Sequence, residues 1–443
     1  MYILHSLLRE IKEEFNKTTK VKNRGLWFIY TIIAIILPFT SSRTSALLRT
    51  LETLFGFNIN KKRYYRFMAS PKIPWQNLWI RLWHLIPEPE TNGRLLIALD
   101  DSINPKSGKK IYACEHLFDH AAKQNQSKYP WAQNVVLIGL LKIVKGRWSC
   151  LPLASSYYNT KKYIQTHKPI FKGKPVEFQT KLQQAVAMIL KVGKQFPNIG
   201  ILIVTDSWFG NNGLWKPLRQ KLNELIDLLS RLRANCNIFD LPEPCTEAKR
   251  GRPLKYGKKL GTTSSLAAEY RDRAKEYSVN LYGKVRTVLA YERVVMLKTL
   301  KCKVKVVWVY RRTQWTALFT TDITLSVEEM IEYYGARWKI EACFKELKQD
   351  IGSAETQTRN PVAVTNHLQF CMMATSLTWI YACRLEKTPA RRHAVNGRTH
   401  YAFSDIRRLV ARAAMDENFS ILCPPPGNSI LKSLASAFMR LAA

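Results

Sequence analysis

Apolar residues recur at helical spacing through the first ninety positions. Leu7, Leu8, Ile11 and Phe15 fall on one face of an opening helix. Residues 26–39, LWFIYTIIAIILPF, are apolar almost throughout, and Pro38 ends the run. At 14 residues the run is short of the ~20 that a membrane-spanning helix needs, so it reads as a buried core helix. Leu47, Leu48, Leu51 and Leu54 mark another helix, which Gly56 stops. Residues 58–60 make a turn, and residues 61–68, KKRYYRFM, form a short basic helix with Lys61, Lys62 and Arg63 at its start. That pair is either a helix-turn-helix, whose second helix would enter the major groove, or a plain helical hairpin. Pro71, Pro74, Pro87 and Pro89 then punctuate a connector.

At Gly93 the period changes. GRLLIALDDS is a short apolar run that stops at two aspartates, and residues 134–146 and 147–153 follow as further strands. An amphipathic helix over about 176–196 precedes the strand IGILIVTDSW, residues 199–208. Residues 214–233 read as a helix and ANCNIFDLP as a fifth strand. The order β-β-β-α-β-α-β predicts a ribonuclease H-like α/β core, a mixed sheet flanked by helices. Residues 245–322 break the pattern with strand-like segments (VRTVLAYERVVML, KVKVVWVY, WTALFTTD) and read as a β-rich insertion. A strong helix over 326–350 and a helical tail from Pro361, closing on an amphipathic segment over 429–441, complete the chain. The divisions expected are a helical DNA-binding domain at 1–90, the core at 91–244 and 323–385 around the insertion, and a C-terminal helical region at 386–443.

Charge narrows the partners. Lys and Arg outnumber Asp and Glu by 69 to 33 over 443 residues, a formal net charge of +36. Such self-repulsion points to a polyanionic partner, nucleic acid before a membrane surface. The insertion is especially basic, with eighteen Lys or Arg against five Asp or Glu over residues 246–314. Its opening KRGRP, with Lys249, Arg250 and Arg252, resembles a minor-groove hook, with a solvated basic loop as the alternative. Nine scattered cysteines include no Cys-x-x-Cys pair, which argues against a zinc site or a disulfide framework and for a reducing cytoplasm, with the chain bound to the nucleoid.

Candidate chemistry comes from carboxylates. Cleaving a phosphodiester with two metal ions requires hard oxygen ligands that suit Mg²⁺ or Mn²⁺. Asp100 and Asp101 end the first strand, Asp206 ends ILIVTD, and Glu341 lies on the late helix. On that helix Tyr334, Arg337, Glu341 and Lys348 are spaced 3, 4 and 7, within an arc of ~60°. Ala336, Ile340, Cys343 and Leu347 form a separate apolar stripe, while Glu332, Glu346 and Asp350 point elsewhere. Trp208, Trp308, Trp315 and Trp338 are expected to pack in the core, with base stacking as the alternative. His116, His120 and His367 are expected to be structural.

The pattern Tyr-x2-Arg-x3-Glu-x6-Lys at Tyr334, Arg337, Glu341 and Lys348 resembles the signature of bacterial DDE insertion-sequence transposases related to those of composite transposons five and ten. Asp-x-Ser from Asp100 and Asp206 followed by Phe209 resemble that family's two aspartate motifs, and the insertion lies where the family carries one. The resemblance implies that Asp100, Asp206 and Glu341 hold two Mg²⁺ or Mn²⁺ ions and that Tyr334, Arg337 and Lys348 contact the DNA backbone. The family's spacing selects Asp100 as the first ligand; Asp101 is the alternative. It further implies a cut-and-paste transposase acting on double-stranded DNA, its terminal inverted repeats and its target, as a homodimer in a synaptic complex. A catalytically dead DNA-binding descendant and another ribonuclease H-like nuclease are the rival readings.

Overall fold

The computed structural model describes residues 2–18, 22–120, 122–243, 254–396, 400–424 and 434. Helices α1 (Tyr2–Asn16), α2 (Lys22–Ile36), α3 (Thr44–Phe55), α4 (Lys61–Met68) and α5 (Trp75–His84) open the chain. The apolar run becomes α2, and its residues 28–37 are buried. Among the described residues no helix is long and apolar enough to cross a membrane. Gly56 caps α3 with φ at 63°, a left-handed conformation that a side chain would strain. Asn60 caps α4 by accepting from the backbone N–H of Lys62 and Arg63. The proline-marked connector contains α5, which buries Leu78, Trp79, Leu82 and Trp83.

The central sheet is mixed, with twelve strands among the described residues. Its core holds β1 (Arg94–Pro105), β2 (Cys114–His116), β3 (Trp131–Val144) and β4 (Arg147–Tyr158). Next come α6 (Lys161–His167), a separate hairpin of β5 (Ile170–Phe171) and β6 (Lys174–Pro175), and α7 (Lys181–Gly193). Strand β7 (Gly200–Thr205), α8 (Asn212–Leu222) and β8 (Ile226–Arg231) follow. Across the core the order is β4-β3-β1-β7-β8; β7 is parallel to β1 and β8, and β3 is antiparallel to β1 and β4. Parallel strands are covered on both faces, which is why LLIAL and ILIV are apolar without alternation.

One expectation is corrected here. Residues 214–233 are not one helix: α8 stops at Leu222, Asn223 turns with φ at 50°, and residues 226–231 form the fifth core strand. The run LIDLLS is too short for its period to tell helix from strand. ANCNIFDLP supplies only β9 (Asn237–Phe239), which pairs with β10 (Lys259–Thr262) and β12 (Lys284–Leu297). Helix α9 (Thr263–Glu269), β11 (Lys275–Leu281), β13 (Cys302–Arg311) and β14 (Gln314–Thr320) complete this region. Strand β14 pairs with β8, so the inserted strands extend the core sheet instead of forming a sheet of their own.

The late helix is also not one rod. It runs as α10 (Val327–Ala336), a turn at Arg337 and Trp338, α11 (Lys339–Lys345) and a π-helical turn at Glu346–Asp350. Helix α12 (Pro361–Arg384) is buried almost all round. Its Asn366 donates to the carbonyls of Met68 and Ser70 at 2.8 and 3.0 Å and accepts from Trp75. Its Ser376 donates to Pro152 O of β4 at 2.7 Å. Through α12 the N-terminal helices are therefore fixed to the sheet. Helices α13 (Phe403–Met415) and α14 (Glu417–Leu422) end the described chain apart from residue 434, so most of the segment at 429–441 lies outside the described residues.

Candidate active site

The register of β1 and β7 decides where the first two carboxylates lie. Leu99 pairs with Thr205, so Asp206 leaves β7 beside Asp100; Asp100 and Asp101 do not end β1 as expected, because the strand continues against β3 to Pro105. Consecutive strand residues face opposite sides, which separates Asp100 from Asp101. Asp101 Oδ2 accepts from Asn134 at 2.6 Å and pairs with Lys181 at 2.8 Å. Asp100 Oδ2 instead meets Arg337 Nη1 at 3.3 Å, and Arg337 Nη2 lies 3.5 Å from Glu341 Oε1. One guanidinium thus bridges a β1 carboxylate and an α11 carboxylate. It is only 5% exposed, lies over the rings of Tyr334 and Trp338, and its Nε is buried without an acceptor among the described residues. Asp206 Oδ1 accepts from the backbone N–H of Trp208 and Phe209, both at 3.0 Å, which fixes the turn after β7.

Burial pushes the Asp100 carboxyl up to about 7, and the charges of Asp206 and Asp101 add to it against the backbone N–H of Asp101 and Arg337. Burial likewise raises Glu341, opposed by Arg337, and brings Lys348 down to about 8. The Asp100 shift sets a sign for stability. A carboxyl held near 7 when folded and near 4 when unfolded destabilises the fold where it must ionise, so its burden is absent below pH 4 and full above pH 7. Asp100→Asn should therefore raise the melting temperature of the metal-free protein at pH 8, with the gain vanishing as pH falls towards 4. The upper bound is about 4 kcal/mol, reduced because a fifth of the side chain is exposed. A gain that grows towards low pH would contradict this placement of Asp100.

The other expected residues distribute as follows. Lys348 donates to Ser102 Oγ and Ile103 O of β1, both at 2.7 Å, so it ties the π turn to the strand that carries Asp100. Glu346 lies away from Glu341, buried against Trp379 Nε1 at 3.1 Å, and Glu332 accepts from the backbone of Asn280. Lys61, Lys62 and Arg63 are exposed on α4, whose Tyr64, Phe67 and Met68 are buried. Lys249, Arg250 and Arg252 lie outside the described residues. Trp308 is buried as expected, but Trp208 and Trp338 are 45% and 49% exposed, because Trp208 lies in the turn after β7 and Trp338 in the turn between α10 and α11. His367 is buried against Ser42 O. Sequence reasoning did not single out Asn134 or Lys181, nor Arg231 and Arg311, which line a cavity of about 400 Å³ with Asp206, Tyr334 and Arg337. No local pattern marks them; only the strand register brings them in.

The family model described as DDE superfamily endonuclease matches residues 24–293. The chain belongs to this family. The match spans α2 to most of β12 and so includes Asp100 and Asp206, while α11 and Glu341 lie beyond it. A comparison with curated proteins finds no match. DDE endonucleases generally use divalent metal ions, for which these carboxylates are candidate ligands. Their oxygens are the hard donors that Mg²⁺ or Mn²⁺ prefers, and the Asp100 anion, which burial penalises, is one that a cation would stabilise. Among the described residues no three His, Cys, Asp or Glu side chains are gathered to hold an ion as they stand. The donor set fits a cation in kind, with Arg337 now drawn between two of its members.

Proposed function

We propose that this DDE endonuclease is a cut-and-paste DNA transposase whose catalytic carboxylates are Asp100, Asp206 and Glu341. The observation that carries the reading is the Arg337 bridge, which brings the late-helix signature against Asp100 of β1, where β7 ends at Asp206. A solvated helix face with ordinary ion pairs would not bury its arginine against another element's carboxylate. Asp100 is preferred to Asp101 because it faces Arg337 and Asp206, whereas Asp101 faces away, paired with Lys181 and hydrogen-bonded by Asn134. Two Mg²⁺ or Mn²⁺ ions held by the three carboxylates would activate the attacking oxygen and stabilise the leaving one.

The chain's own groups have separate tasks. Arg337 holds Asp100 and Glu341 together with its planar fork. Lys348 positions β1 through Ser102 and Ile103. The basic face of α4 suits a duplex, with Lys61, Lys62 and Arg63 as its contacts. Terminal-repeat and target DNA are the expected substrates, and a homodimer in a synaptic complex is the expected assembly.

The test is strand cleavage of a duplex carrying the DNA that flanks the gene, in Mg²⁺. Glu341→Gln keeps the side chain's shape and removes its charge. It should retain DNA binding and lose nicking by about 10³-fold or more, the several kcal/mol that metal-stabilised charge contributes. Nicking by the variant at near the wild-type rate would remove Glu341 from the site.

A further inference from the structure

Between Asp119 and Glu177 the sequence has no acidic residue and ten Lys or Arg. Five of these, Lys161, Lys162, Lys168, Lys172 and Lys174, fall in the excursion at 159–180 that contains α6 and the β5–β6 hairpin. All five are exposed, and none forms an ion pair among the described residues. A merely solvated basic face normally interleaves acids at helical or cross-strand spacing; here Glu177 is the excursion's only acid. The excursion is also built to be held. Glu115 accepts from both the backbone N–H and the hydroxyl of Thr160, which begins α6, and Tyr163 accepts from Ala113 N at 2.9 Å.

Its position is what gives the charge a use. The excursion leaves the sheet after Tyr158 and returns at Lys181, and the Lys181 ammonium lies 5.3 Å from the Tyr158 ring while pairing with Asp101 at 2.8 Å. Both of its roots therefore stand beside Asp101 of β1, and the same ammonium lies 5.5 Å from the ring of Trp208, in the turn that follows Asp206. The inserted strands lie on the opposite flank, beyond β8.

We infer that α6 and the β5–β6 hairpin form a sequence-independent contact for the backbone of duplex DNA beside the cut, on the flank away from the insertion. This rests on the proposed function, since it takes the DNA to cross the sheet at Asp100 and Asp206. Lysines act on phosphates as point charges and read no bases, so the contact positions DNA without selecting it.

The experiment measures binding of wild-type protein to a duplex of arbitrary sequence at about 50 to 200 mM salt, and compares two triple variants. Lys168→Ala, Lys172→Ala and Lys174→Ala together should lower the slope of log affinity against log salt by about 2 to 3, close to 0.9 per lost phosphate contact. Lys216→Ala, Lys301→Ala and Lys303→Ala remove the same charge around a cavity of about 600 Å³ beside Asp227, at the other end of β8. That variant should leave the slope unchanged. A slope unaltered by the hairpin variant, or lowered equally by the control, overturns the inference while leaving the proposed function standing. Wild-type protein that neither binds duplex nor nicks it in Mg²⁺ would bring down the function itself.

Discussion

Asp100→Asn should reduce DNA strand cleavage by about 10³-fold or more, whereas Asp101→Asn should leave most of it. The two residues are neighbours in sequence with different partners. Asp100 faces Arg337 and feels the charge of Asp206; Asp101 is bound by Asn134 and Lys181. Asparagine at 100 removes a carboxylate from the group proposed to hold the ions. Asparagine at 101 keeps an acceptor for Asn134 and weakens one partly exposed ion pair, worth about a kcal/mol or less. Cleavage and binding measured on the same duplex separate the outcomes. Loss of cleavage in Asp101→Asn with retention in Asp100→Asn would exchange their roles.

Arg337→Ala should be the second severe change, and it should act on cutting without altering which DNA is preferred. Removal of the guanidinium leaves Asp100 and Glu341 without the cation that bridges them. For a fully buried pair this costs about 3–5 kcal/mol; nearly half of the Glu341 side chain is exposed, so about 1–3 kcal/mol of stability is expected here. Arg337→Lys should not restore activity, because a single ammonium cannot span two carboxylates as a planar fork does. Lys61→Ala on α4 is the counterpart: it should reduce preference for the cognate end over a scrambled one and leave the cutting step intact. Footprinting and cleavage on both ends decide the matter. Discrimination lost in Arg337→Ala and kept in Lys61→Ala would refute the division into a reading N-terminus and a cutting core.

Much of this was already written along the chain. Gly56, Asn60 and the period of residues 61–68 determined α4 to the residue, because caps and periodicity are local properties. The apolar runs ending at Asp100 and Asp206 marked two buried strands, whereas the single helix expected over 326–350 is divided at Arg337 and Trp338 and ends in a π turn. What depended on distant parts of the chain was not legible. The run LIDLLS became a strand because β7 and β14 flank it, and its own period is compatible with a helix. The proposed choice of Asp100 over Asp101 rests on which side of β1 faces Arg337 and which faces Lys181, 80 residues from Asp101. Lys348, read as a backbone contact for DNA, is bound to Ser102 and Ile103, because the π turn brings it down onto β1. Local sequence determines which elements form and which side chains share a face; register and packing decide which faces meet, and in this protein that meeting assembles the candidate site.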